Sequence, residues 1–320
     1  MKIVARRYHK VHSKENRTMM HTYRLIHAKA ARSKIRVPRV WSWHLGLKPQ
    51  DIFLASYPRS GSTWLRFMLF QILTGEDPGF QRIDQCIPEI QSHRGVPPLL
   101  PGGGRLIKTH EQYRKDYTKA VFLVRDLRDV LVSCYVRSVE AGLAQLVSKG
   151  DSDSFLLSFL KGRALQQGSW QEHSRSWLES PLAKNGNLMV VRYEDLRRSP
   201  EQVRNPEQVI GQLLNFLGFT PDVRIIRKAI ENNSLQQMRA KEDIAIRAGE
   251  QSALLECHKS PGGEDGRFIR KGSVGGWRSK LTDAQVRLIN QYAGDMLATL
   301  GYEPGLVEQR SQAAISALSI

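Results

Sequence analysis

Cysteine is scarce in this chain: Cys86, Cys134 and Cys257 are the three in 320 residues, odd in number and far apart. That spacing excludes a disulfide framework, and with no CxxC pair or matching histidine it offers no zinc site; the thiols are expected to be reduced and structural. Long apolar runs are missing too. None approaches the roughly 20 residues of a membrane helix, and the first residues are too charged for a secretory signal, so a soluble, cytoplasmic protein is expected. Carboxylates are nearly absent from the first fifty residues, where Glu15 stands alone against thirteen lysines and arginines. This arm carries +12 of the formal net charge of +17, leaving the rest only +5, so nucleic acid is not the expected partner of the whole.

What is present suffices for a sizeable core: the 41% hydrophobic content and the length suit one large α/β domain with appendages. The expected boundaries are a basic arm over 1–47, flexible or helical, a main domain over 48–305 and a tail over 306–320. In the arm, Met19, Tyr23, Ile26 and Ala30 fall at helical spacing among cations. A short amphipathic helix there would suit an anionic surface, a polyanion or the body of the protein, and the arginine-rich, acid-poor composition also resembles an organelle transit peptide. His9, His12, His21 and His27 lack partner ligands for a metal.

The segment from Phe53 to Leu65 reads as a buried strand running through a tight, hydroxyl-rich turn into a helix, which is how proteins build an anion cradle. Pro58 fixes the entry φ, Gly61 permits a backbone geometry other residues resist, and Ser60, Ser62 and Thr63 add hydroxyls to the free N–H groups of the first turn. Arg59 adds a permanent cation. Taken alone, the segment reads equally as an ordinary connection whose Ser and Thr cap the helix. Further strands are expected at 105–110, 120–124 and 188–193, and helices over 130–138 and 206–219; Thr282-Asp283-Ala284-Gln285 opens the last helix as a capping box. Strands alternating with helices imply a parallel sheet, whose ligands sit beyond the carboxyl ends of the strands. Those ends carry residues 57–63, Lys108 with His110, Arg125 and Tyr193. Between Met238 and Arg270 the chain is polar and glycine-bearing before it delivers Arg270-Lys271-Gly272-Ser273, the character of a mobile lid with a cationic tip.

Taken in order, these segments resemble the sulfotransferase family that uses 3′-phosphoadenosine 5′-phosphosulfate (PAPS). Tyr57 to Trp64 is similar to the family's 5′-phosphosulfate loop, commonly Tyr-Pro-Lys-Ser-Gly-Thr-Thr-Trp, with Arg59 at the position of the usual lysine. The resemblance implies an α/β fold: a single-domain parallel sheet flanked by helices, with a P-loop-like 5′-phosphosulfate loop. It places Arg59, Ser60, Gly61, Ser62, Thr63 and Lys108 at the 5′ end, with His110 as catalytic base and Lys108 as a sulfuryl-contacting cation. Arg125 and Ser133 would grip the 3′-phosphate together with Arg270, Lys271 and Gly272, whose segment resembles the family's Arg-Lys-Gly-x-x-Gly-Asp-Trp lid. Tyr193 would meet the adenine beside Trp64, and Ser234, Leu235 and Met238 belong to a further nucleotide-contact segment. Gly276 stands where the family has aspartate, and Leu235 where an aromatic commonly stacks on adenine. The family's dimer segment maps onto Arg278, Thr282, Asp283 and Arg287, which breaks its valine and glutamate positions.

The reaction so implied moves a sulfuryl group from PAPS to the hydroxyl of a small alcohol or phenol, a lipid or a glycan, and releases adenosine 3′,5′-bisphosphate with no metal required. Positioning and charge neutralisation govern such a transfer, much as in phosphoryl transfer. His110, neutral near pH 7, would take the acceptor's proton, and Lys108, two residues earlier on the same strand face, would meet the same sulfate. Arg59 cannot readily release a proton, so its expected role is electrostatic stabilisation and bidentate grip. The acceptor pocket would come from loops around 75–104, 140–180 and 240–268. Two other readings compete: a P-loop nucleotide kinase, although residues 57–64 lack the GxxxxGK[ST] pattern, and a polyanion binder led by the arm.

Overall fold

Ile52–Ser56 (β1) and Ala120–Val124 (β3) contain no charged residue and are buried along their whole length, as strands are in the middle of a parallel sheet covered on both faces. The computed structural model describes residues 42–140, 152–197, 205–220, 222–250, 252 and 267–305. Its chain divides into two compact units, Met1–Leu45 and Gly46–Ile320. The expected amphipathic stretch of the arm, the tail over 306–320, Cys257 and the polar run over 253–266 lie outside the described residues.

In the second unit β1 is followed by Ser62–Thr74 (α1), Phe80–Cys86 (α2), Leu106–Thr109 (β2), β3 and Leu127–Glu140 (α3). Ser152–Leu160 (α4), Trp170–Leu178 (α5) and Pro181–Lys184 (α6) lead to Leu188–Arg192 (β4). Tyr193–Leu196 (α7), Pro206–Phe216 (α8), Val223–Asn232 (α9), Leu235–Arg247 (α10) and Asp283–Thr299 (α11) complete it. All four strands run parallel in the order β2-β1-β3-β4, with Leu54 opposite Lys108 and Ser56 opposite Leu123. Because the chain leaves β1 toward β2 and returns on the other side of it at β3, the loops after β1 and β3 diverge and open a crevice at that reversal. This is the α/β sheet flanked by helices that the alternation of elements predicts.

Apolar residues of α1 supply much of the core: Phe67, Met68, Leu69 and Phe70 are fully buried beside Phe80, Leu106, Val121 and Leu213. Each such side chain contributes about 1.5–3 kcal/mol of transfer free energy. The outer edge of β2 does not face water, because the Lys108 N–H donates to the Pro88 carbonyl at 2.8 Å and Glu89 bridges Lys108. Element ends differ from the sequence expectation where side chains intervene. The helix expected from Val130 starts at Leu127, since the Asp126 carboxylate accepts the Arg128 N–H at 2.9 Å. Strand β4 stops at Arg192, where Tyr193 turns into α7 and the Glu194 carboxylate accepts the Asp126 N–H. Helix α8 stops at Phe216, just before Gly218 takes a φ of 81°.

Candidate active site

The turn between β1 and α1 is shaped by two residues with left-handed backbone, Arg59 at φ 69° and Gly61 at φ 95°. Gly61 has no substitute here: a Cβ would sit 2.5 Å from the Tyr193 ring, which closes over the turn. Ser62 and Thr63 occupy the first turn of α1, where free N–H groups favour an anion. The Ser60 hydroxyl is buried and has no hydrogen-bond partner among the described residues.

His110 follows β2 directly. Its Nδ1–H donates to the Ser56 carbonyl at 2.7 Å, with Ser56 Oγ 3.3 Å away, so the last residue of β1 orients the ring. Since a carbonyl only accepts, the lone pair of the neutral ring lies on Nε2. Behind it, His173 Nε2–H donates to the His110 carbonyl at 3.1 Å. Burial, and then the charge of Lys108, push the His110 pKa well below its ordinary 6.5. Lys108 donates from Nζ to Glu89 Oε1 at 2.5 Å with only 4% of its side chain exposed. Burial works against ionisation of both partners and is the largest influence at each, yet at Glu89 the charge and hydrogen bond of Lys108, together with His110 and Arg66, outweigh it and lower that carboxyl's pKa.

At the ends of β3 and β4 the cations gather. Arg125 donates from Nη1 to the Arg59 carbonyl at 3.0 Å and from Nη2 to the Ser273 carbonyl at 2.9 Å, and its guanidinium lies 4.6 Å from the Tyr193 ring centre. Tyr193 O–H donates to the Gly272 carbonyl at 2.8 Å. The segment carrying Arg270 to Trp277 is clamped from two helices. From α3, Asp129 accepts the Gly275 and Trp277 N–H groups at 2.8 and 3.0 Å. From α10, Glu242 accepts the Phe268 and Ile269 N–H groups at 2.7 and 3.2 Å, and Arg239 donates to the Arg270 carbonyl. Burial raises the pKa of both carboxyls, and the backbone donors oppose it.

One cavity of about 340 Å³ joins these groups. Of the residues expected from sequence, Arg59, Gly61, Ser62, Thr63, Trp64, Lys108, His110, Arg125, Ser133, Tyr193, Leu235, Arg270, Lys271 and Gly272 line it. Ser60, Ser234 and Met238 do not. Ser234 is the N-cap of α10, accepting the Gln237 N–H, and Met238 is buried in the hydrophobic core. Arg59, expected with Lys108, instead donates from Nε to Ser133 Oγ at 3.0 Å. Trp64 meets the Tyr193 ring edge-on at 5.8 Å and donates from Nε1 to the Asn233 carbonyl. Sequence reasoning missed Arg197 and Lys280 on the lining, and also Glu89, Asp129 and Glu242, which orient the groups that line it. Among the lining residues Asp129 is the one carboxylate, and it serves backbone N–H groups, so the cavity is cationic and suited to a multiply charged anion.

The chain is similar to known proteins. A family described as "Sulfotransferase domain" matches residues 49–301. Sulfotransferase 2A1 of Mus musculus is 28% identical over 271 residues, covering 81% of this chain and 88% of that protein. Sulfotransferase 1A1 of the same species is 27% identical over 258 residues, covering 74% and 81%. Among solved structures, mouse sulfotransferase SULT7A1 complexed with PAP matches with a TM-score of 0.57 and 23% identity over 81% of this chain and 89% of that one. Retinol dehydratase in complex with retinol and PAP matches at 0.57 and 21% over 82% and 86%. At these identities the two structures show a shared fold.

Proposed function

The chain belongs to the sulfotransferase family and is a PAPS-dependent enzyme, and we propose that it sulfates a small alcohol, phenol or lipid hydroxyl with His110 as general base. The observation that carries this reading is the ring of His110, oriented by Ser56, on the same cavity as Lys108 and an arginine cluster that has no carboxylate within ion-pair distance among the described residues. Family membership removes the nucleotide-kinase alternative. The PAP bound in the two structures of like fold supports the choice of donor, and the excess of cations on the cavity lining fits it.

In this reading Ser60, Gly61, Ser62 and Thr63 hold the 5′ end, with Lys108 beside the sulfuryl group. Arg125, Ser133, Arg270, Lys271 and Gly272 hold the 3′-phosphate, and Trp64, Tyr193 and Leu235 border the adenine. Ser234 and Met238 contribute from behind, by capping and packing α10. His110 Nε2 accepts the acceptor's proton as the hydroxyl oxygen attacks sulfur, and the sulfur–oxygen bond to the phosphate breaks with its electron pair on the leaving adenosine 3′,5′-bisphosphate. Lys108 and the α1 N-terminus stabilise the charge that develops there.

Val132, Val136, Phe268 and Ile269 line the cavity around Ser133, Arg59 and Arg270, at the nucleotide's end, and the choice of a small apolar acceptor over a glycan rests on the ligands of proteins with like fold. The retinol and androsterone in the retinol dehydratase structures are apolar alcohols and support that choice. The proposal keeps 48–305 as the catalytic domain and a cytoplasmic location; among the described residues no helix is long and apolar enough to cross a membrane. The arm over 1–47 is proposed as a peripheral contact for an anionic surface. Incubation with labelled PAPS and a panel of alcohols, phenols, lipids and oligosaccharides tests the reading. Label is expected on small hydroxyl compounds; label on oligosaccharides alone would overturn the acceptor class, and no transfer to any would overturn the activity.

A further inference from the structure

Arg59 occupies the position where the family resemblance puts a lysine serving the reacting, 5′ end of the donor. Its side chain goes elsewhere. Nε–H donates to Ser133 Oγ on α3 at 3.0 Å, and the guanidinium carbon lies 5.8 Å from the Phe268 ring centre. The carbonyl of the same residue accepts Arg125 Nη1–H at 3.0 Å, and Arg125 reaches on to the Ser273 carbonyl at 2.9 Å. Four residues from the first loop, α3, the end of β3 and the lid thus form one hydrogen-bonded chain. The backbone accommodates it: at φ 69° Arg59 is the one described non-glycine residue in the left-handed region, a conformation that a long side chain occupies only when its surroundings dictate it.

The electrostatics agree. Burial first, and then the charges of Arg270, Arg125 and Arg137, lower the Arg59 pKa, so several guanidinium groups crowd one another. Among the described residues none of Arg59, Arg125 and Arg270 has a carboxylate within ion-pair distance, and a dianion is the natural complement of such a cluster. An arginine suits this place better than a lysine. Its planar fork can hold Ser133 through Nε and still present its terminal N–H groups to a phosphate.

We infer that Arg59 is a 3′-phosphate recognition residue, joined with Ser133, Arg125 and Arg270, and that Lys108 alone remains as the side-chain cation of the transfer end. The inference rests on the PAPS reading above and goes beyond it, because it moves a residue from one end of the donor to the other and makes it a determinant of which nucleotides bind.

The two ends can be separated with two ligands that share a 5′-phosphate and differ in the 3′-phosphate. Isothermal titration of the full chain with adenosine 3′,5′-bisphosphate and with adenosine 5′-monophosphate gives a ratio of affinities that reports the 3′ contact alone. Arg59→Ala is expected to weaken the bisphosphate by about 10- to 100-fold and to cut that ratio by a similar factor. Arg59→Asn repeats the measurement with a residue that tolerates the left-handed backbone, so a change in the turn is not mistaken for a lost contact. Equal losses for the two ligands would return Arg59 to the 5′ end and overturn the inference, as would unchanged affinity for both. A wild-type chain indifferent to the 3′-phosphate would instead overturn the PAPS reading itself.

Discussion

His110 and Ser56 are joined by a hydrogen bond of 2.7 Å from the imidazole Nδ1–H to the backbone carbonyl at the end of the first strand. This bond decides which nitrogen carries the proton, and so leaves the lone pair of a base at Nε2. The sheet itself, through the neighbouring ends of β1 and β2, holds the group that does the chemistry.

The pH dependence of turnover follows. Burial first and Lys108 second lower the His110 pKa, so the ring stays unprotonated as pH falls through its ordinary 6.5. The acid limb of kcat/KM, which reports the free enzyme, is expected well below 6.5. A limb at or above that value would mean that His110 is not the titrating base.

Stability has its own acid window, set partly by His173. Burial holds its pKa down to about 4 in the folded protein, against 6.5 when exposed. Between those values the unfolded chain binds a proton that the folded one refuses, so stability declines as pH falls from 6.5 toward 4 and is unaffected by this group above it. Urea unfolding across the window should show a shallower decline for His173→Gln than for the wild type.

Removing Glu89 strands a buried cation. Lys108 is 4% exposed and Glu89 is, among the described residues, its one carboxylate within ion-pair distance, so Glu89→Ala is expected to cost about 1–3 kcal/mol in urea unfolding at pH 7. Glu89→Gln, whose amide oxygen still accepts, should cost less.

The Asp129 carboxylate fastens the lid by accepting the Gly275 and Trp277 N–H groups. Asp129→Ala should speed amide hydrogen exchange at residues 275 and 277 and weaken adenosine 3′,5′-bisphosphate by about tenfold. Unchanged exchange would show that the lid is held elsewhere, with Glu242 the next candidate.

Much of this was legible in the residues. Uninterrupted apolar runs announced β1 and β3, Pro58 and Gly61 marked the turn, and the positions after each strand put His110, Arg125 and Tyr193 at one end of the sheet. What stayed hidden depends on side-chain direction and on partners distant in sequence. Asp129 looks like any acidic residue in the first turn of a helix, and Glu242 like an ordinary one inside α10. Nothing along the chain connects either to a lid more than twenty residues away. Lys108 reads as a free cation until the loop after α2 brings Glu89 against it. Arg59 follows a proline and a tyrosine in a motif that suggests one destination, and only the left-handed turn directs it to Ser133. Ser234 and Met238 came with a motif as a unit, although one caps α10 and the other packs beneath it.

The most direct measurement compares turnover and donor-product binding in His110→Ala. Sulfuryl transfer from labelled PAPS is expected to drop by about 10²–10⁴-fold, while isothermal titration finds adenosine 3′,5′-bisphosphate bound nearly as tightly as by the wild type. Full turnover in the variant, or a parallel collapse of binding, would contradict a site in which a cationic clasp and a separately oriented imidazole divide the work.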